Sequence, residues 1–150
     1  MAVCVDASLV AAWLLPEELS DKALLLRRRL QQEGEDFIAP SLMGAEVTSV
    51  LRKAVYRERV PLEYGEEALE AFKLFIIEPH DIRLLVDTAW SLAKALNAPH
   101  LYDMFYLALA VQEDCELWTA DLRFVRMVAR RFQRVRWVGN FEVQDGTDAT

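Results

Sequence analysis

Five short apolar runs alternate with longer stretches of helical periodicity, and that alternation leaves the chain few architectures. Val3-Cys4-Val5, Phe37-Ile38-Ala39, Phe75-Ile76-Ile77-Glu78, Glu116-Leu117-Trp118-Thr119 and Val135-Arg136-Trp137-Val138 read as strands. Helices are expected over residues 9–15, 19–32, 41–59, 61–73, 82–96, 100–113 and 122–132. Ser41 can cap the third of these, and Gly34, Pro40, Pro79 and Asn97-Ala98-Pro99 punctuate the pattern. Strands that alternate with helices form a parallel sheet covered on both faces. The expectation is an α/β chain in one domain, with an ordered core over residues 3–140 and a frayed polar end over residues 144–150.

Composition removes several function classes. A hydrophobic share of 53% excludes a disordered chain. No apolar run is long enough to span a bilayer, and the first residues lack the basic and apolar regions of a signal peptide. Cys4 and Cys115 sit inside apolar segments, so they are expected to be reduced and buried, as in a cytoplasmic protein. No Cys/His cluster suits zinc, and His80 and His100 have no partner pattern. A net charge of −7 argues against a uniformly basic nucleic-acid surface and suggests a basic partner protein, yet it allows an acidic cation site beside a local Arg cluster.

Four carboxylates fall at one edge of the expected sheet. Asp6 closes the first strand, and Asp121 follows the fourth strand just after Thr119. Glu46 lies in the first turns of the helix leaving the second strand. Asp103 lies near the start of the helix that enters the fourth. All four therefore map to the carboxyl ends of the strands, where sites form in open parallel sheets. Taken singly, Asp6 and Asp121 are equally readable as turn or cap residues, and Glu46 as an ordinary helix residue. Asp103 is the only charge between Leu101 and Val111. Its helix should be buried, and an unpaired buried carboxylate is costly. Clustered carboxylates repel, and Mg²⁺ or Mn²⁺ with oxygen ligands would resolve the conflict.

Val5-Asp6-Ala7-Ser8, Glu46 after Pro40-Ser41, the run from Leu101 to Ala110 and Thr119-Ala120-Asp121 together resemble the PIN-domain family, and within it the VapC-type toxins of toxin–antitoxin systems. The resemblance runs from Val3 to about Val138. It implies a three-layer α/β/α fold whose five-stranded parallel sheet has the order 3-2-1-4-5. It also implies Mg²⁺ or Mn²⁺ on Asp6, Glu46, Asp103 and Asp121, with Ser8 and Thr119 as supporting polar residues. The implied activity is hydrolysis of RNA phosphodiester bonds. The implied partners are a VapB-like antitoxin and a second copy in a homodimer or higher oligomer. The departure is Leu122-Arg123, which stands where many members carry a further Asp or Asn.

Other features carry less. Arg123 is the cation closest to the acids and the best candidate for contact with RNA or a partner. Arg126, Arg130, Arg131, Arg52, Lys53, Arg57 and Arg59 read mainly as solvated surface. Trp13, Leu14 and Leu15 could line a groove with Leu51, Val55 and Tyr56, although core packing is the stronger reading of each; Trp118 and Trp137 read as core. A receiver domain would need an Asp after the third strand and a Lys after the fifth, and a dehalogenase-like phosphatase would need an acid at Ser8. The alternatives that survive are an RNA-processing nuclease that is not a toxin and an inactive scaffold that binds RNA or protein.

Overall fold

Residues 1–142 are described by a computed structural model, so the frayed end expected over residues 144–150 lies outside the described residues. The strands are β1 (Ala2–Val5), β2 (Asp36–Pro40), β3 (Ile77–His80), β4 (Leu117–Thr119) and β5 (Val135–Trp137). All pair in parallel, in the order β3-β2-β1-β4-β5. The helices are α1 (Ala7–Leu14), α2 (Ser20–Gln32), α3 (Met43–Tyr56), α4 (Leu62–Lys73), α5 (Val86–Leu96), α6 (Tyr102–Gln112) and α7 (Leu122–Val128). Chain order runs outward from β1 to β3, then returns to β4. Right-handed crossovers therefore put α1–α4 on one face and α5–α7 on the other. The contacts agree: α1 packs on α2, α3 and α4, while α6 packs on α5, β1, β2 and β4. The switch in direction falls between β1 and β4.

The inner strands are sealed because both faces are covered. Cys4, Val5 and Leu117 are fully buried, as are Leu9, Val10, Met104 and Leu107 from the covering helices. Trp13 belongs to this core and is absent from the groove that Leu51 and Val55 line. Its indole packs on Phe37 and Phe75, and its Nε1 donates to the Ala23 carbonyl at 2.9 Å. Leu14 and Leu15 are buried too, whereas Tyr56 stands in solvent under the Arg52 guanidinium. Trp118 is buried as expected, but Trp137 at the outer strand is only half-buried. Of the two free cysteines, Cys4 is buried and Cys115 only partly so.

Several boundaries differ from expectation for physical reasons. β3 starts at Ile77 instead of Phe75, because Phe75 turns inward to meet Trp13 and Phe72 edge-on. The strand then runs through Pro79, whose missing N–H is tolerated at a sheet edge. Ser41 does not cap α3. Its N–H donates to the His80 carbonyl at 2.7 Å, and Leu42 takes the cap position without a side-chain bond. That helix stops at Tyr56, and Glu58 adopts a left-handed φ of 57°. The segment after His80 begins as a separate 3-10 turn, Ile82–Leu84, capped by Asp81. α7 ends at Val128, four residues short of the expected end at residue 132.

Leu107 is fully buried in α6 between the sheet and α5. Leu107→Ala should lower unfolding stability by about 3 kcal/mol, measured by urea denaturation.

Candidate active site

Asp6 is placed by the junction of the two central strands. Its N–H donates to the Trp118 carbonyl at 3.3 Å, which continues the pairing of β1 with β4 and sets Thr119 beside it. Thr119 is fully buried and Asp6 is 5% exposed. Thr119 Oγ1 donates to Asp6 Oδ2 at 2.5 Å, Ser8 Oγ donates to Oδ1 at 2.7 Å, and the Leu9 N–H donates to Oδ1 at 2.9 Å. With both hydroxyl protons committed to the carboxylate, the hydroxyl oxygens accept from the backbone. Ala120 N–H reaches Ser8 Oγ and Asp121 N–H reaches Thr119 Oγ1, each at 3.0 Å. Asp6-Ala7-Ser8 and Thr119-Ala120-Asp121 thus clasp each other across the switch point. A carboxylate has about four acceptor positions. Three are filled on Asp6, so one remains, on Oδ2.

The other acids keep more capacity. Asp121 caps α7, with Oδ1 accepting from the Arg123 and Phe124 N–H groups at 3.0 and 3.2 Å. Its second oxygen accepts nothing among the described residues. Capping and site formation are therefore compatible at Asp6 and Asp121, since each caps a helix and still offers an oxygen. Glu46, in the first turn of α3, accepts from Tyr106 Oη at 3.1 Å on Oε1. Asp103, in the first turn of α6, accepts no hydrogen bond among the described residues.

One expectation needs correction. Asp103 is only partly buried, although its helix is apolar nearly all round. It lies on the first turn, where α6 emerges from the core, and the buried residues of that helix begin at Met104. The deeply buried acid is Asp6.

The four carboxylates share one electrostatic neighbourhood. Burial pushes Asp6 up to about 6, against the pull of its Thr119, Leu9 and Ser8 hydrogen bonds, and the charge on Asp103 pushes the same way. Burial likewise pushes Glu46 up to about 7, offset in part by Tyr106 and reinforced by Asp103 and Asp6. Asp103 is raised by burial and by Asp121, and lowered by Arg123 and His100. Asp103 is thus coupled to the other three and is the hub of the cleft. Among the described residues, no three Asp, Glu, His or Cys side chains converge tightly enough to enclose an ion. The acids form an open, repulsive cluster with unfilled oxygens on Asp6, Glu46, Asp103 and Asp121. That donor set suits a hard divalent cation that keeps several of its waters.

Arg123 is exposed and close enough to Asp103 to lower its pKa. Arg126, Arg130 and Arg131 are exposed, as are Arg52, Lys53, Arg57 and Arg59. His100 is exposed near Asp103, while His80 sits half-buried 3.9 Å from Glu113 and 4.0 Å from Glu78. Tyr106 is the residue that sequence reasoning passed over. Its signal was a phenol, three residues after Asp103, in a helix otherwise built to be buried, because a buried hydroxyl needs a partner.

The PIN domain family matches residues 3–129. Among similar proteins, Ribonuclease VapC9 of Mycobacterium tuberculosis is 31% identical over 121 residues, covering 81% of this chain and 87% of that protein. Ribonuclease VapC1 of the same species is 35% identical over 121 residues, covering 79% and 85%. Ribonuclease VapC3 of Pyrobaculum aerophilum is 30% identical over 136 residues, covering 88% and 95%.

Raised carboxyl pKa values make the folded chain the tighter proton binder. Stability is therefore fully favoured below the ordinary carboxylate range and declines as pH rises through about 6 for Asp6 and about 7 for Glu46. Asp6 alone corresponds to about 3 kcal/mol across that window. In chelator, the thermal midpoint should fall by several degrees between pH 5 and pH 8, and Asp6→Asn should flatten that slope, both read by calorimetry.

Proposed function

This chain belongs to the PIN domain family, and from that membership we propose that it is a Mg²⁺- or Mn²⁺-dependent endoribonuclease, the toxin of a VapBC pair. The observation that carries the proposal is the clasped carboxylate of Asp6 at the switch point, with Glu46, Asp103 and Asp121 around it and free oxygens on all four. The names of the similar proteins, all ribonucleases, support RNA as the substrate.

In this proposal Asp6, Glu46, Asp103 and Asp121 hold the cation. When bound, it lowers the pKa of a water and offsets charge that develops on the phosphate oxygens. The chain's own residues do the rest. Ser8, Thr119 and the Leu9 N–H lock the Asp6 carboxylate so that it presents one fixed oxygen position. Arg123, exposed beside Asp103, steers a phosphate toward the cleft. Hydrolysis forms a bond from water oxygen to phosphorus and breaks the bond from phosphorus to the leaving ribose oxygen. Asp103, one oxygen of which would hold the cation, takes the water proton on the other, and the leaving ribose oxygen takes its proton from solvent.

The partner readings follow from the same membership. An apolar groove of about 200 Å³ between α3 and α4, lined by Leu51, Val55, Leu62 and Leu69, supports docking of an amphipathic helix from a VapB-like antitoxin. Exposed Leu84, Trp90 and Tyr102 support self-association as a homodimer or higher oligomer. Among the described residues no helix is long and apolar enough to cross a membrane. The free thiols Cys4 and Cys115 support a cytoplasmic site of action.

Purified, antitoxin-free protein should cut a mixed RNA pool with Mg²⁺ or Mn²⁺ and stop when chelator is added. Asp103→Asn should cut at least about 100-fold more slowly with an unchanged circular dichroism spectrum. An inert wild-type preparation with both ions, or full activity in the variant, would reject the assignment.

A further inference from the structure

Tyr106 stands three residues after Asp103, so both side chains leave neighbouring positions on one side of α6. Its ring is buried, its carbonyl lies 3.7 Å from the Cys4 thiol of β1, and its Oη donates to Glu46 Oε1 at 3.1 Å. One helix therefore supplies an acid of the cleft and also a tether for a second acid, which arrives on α3.

Glu46 needs that tether. It is only partly buried, it turns on three side-chain bonds, and the only hydrogen-bond partner of its carboxylate among the described residues is Tyr106. Asp103 and Asp6 repel it. Left free, the side chain would relieve that repulsion by swinging into solvent. The phenol opposes the swing through a bond to a charged acceptor, one of the stronger kinds of hydrogen bond. Asp6 is fixed by hydroxyls of Ser8 and Thr119, and the Tyr106 hydroxyl does for Glu46 what that pair does for Asp6.

We propose that Tyr106 is a positioning residue, whose hydroxyl holds the Glu46 carboxylate in the cleft beside Asp6 and Asp103 and so sets the cation affinity of the site. The proposal rests on the reading of the four acids as a cation site.

The test is Mn²⁺ binding at pH 8, by calorimetry and by the electron paramagnetic resonance of free ion. It compares wild type, Tyr106→Phe, Glu46→Ala and the double variant. Phenylalanine keeps the ring volume, so the thermal midpoint in chelator should barely move. Its Mn²⁺ affinity should fall about tenfold, as when a hydrogen bond to a ligating carboxylate is lost. On the Glu46→Ala background, the same change should cost nothing further, because its target is gone. Glu46→Asp approaches from the other side: it keeps the charge but withdraws the carboxylate from the phenol, and should match the loss in Tyr106→Phe without touching the core. Wild-type affinity in Tyr106→Phe or in Glu46→Asp, or losses that add in the double variant, would overturn the role of Tyr106 and leave the cation site standing. No Mn²⁺ binding by wild type would overturn both.

Discussion

The clasp on Asp6 is the interaction on which the site depends. A carboxylate almost out of contact with water survives there because two hydroxyls and one backbone N–H fill three of its acceptor positions. Those hydroxyls accept in turn from the backbone of Ala120 and Asp121. The chain of bonds is continuous from the end of β1 to the start of α7. It joins the two strands at which the sheet changes direction, and it orients the loop that carries Asp121. Removing either hydroxyl would leave a buried carboxylate short of a donor and one backbone N–H, that of Ala120 or of Asp121, without its acceptor.

The surrounding charge has a direction. Asp103 couples to Asp6, Glu46 and Asp121, and Arg123 relieves it from outside the cluster. The fold thus holds several carboxylates together, and neighbouring charge raises the proton affinity of Asp6, Glu46 and Asp103, an arrangement typical of functional sites. The compensation for this repulsion is local. Hydroxyls serve Asp6, the phenol of Tyr106 serves Glu46, a helix N-terminus serves Asp121, and partial exposure serves Asp103.

Much of the fold was legible because periodicity reports burial. The alternation of strands and helices, the sheet order implied by the family resemblance and the location of the acids at the carboxyl edge all appear in the structure. The misreadings came where a side chain was drawn elsewhere by a distant partner. Phe75 belonged by composition to β3, but Trp13 and Phe72 draw it out of the strand and shift the start to Ile77. Ser41 had cap chemistry, yet its N–H extends the β3 ladder. Trp13, Leu14 and Leu15 could serve a surface or the core on local pattern alone, and α2 decides for the core at Trp13 through the Ala23 carbonyl.

The four carboxylates illustrate the division. By itself the sequence determined that Asp6, Glu46, Asp103 and Asp121 lie at one sheet edge, because position on a strand or helix follows from spacing along the chain. Which acid is sealed, which is the hub and which oxygens stay free were decided only by tertiary structure. Those properties depend on Thr119 meeting Asp6 across the switch point and on Tyr106 meeting Glu46 across two helices. Hydrogen bonds between residues so distant in the chain leave no trace in local periodicity, and they control how the Asp6 and Glu46 carboxylates are presented.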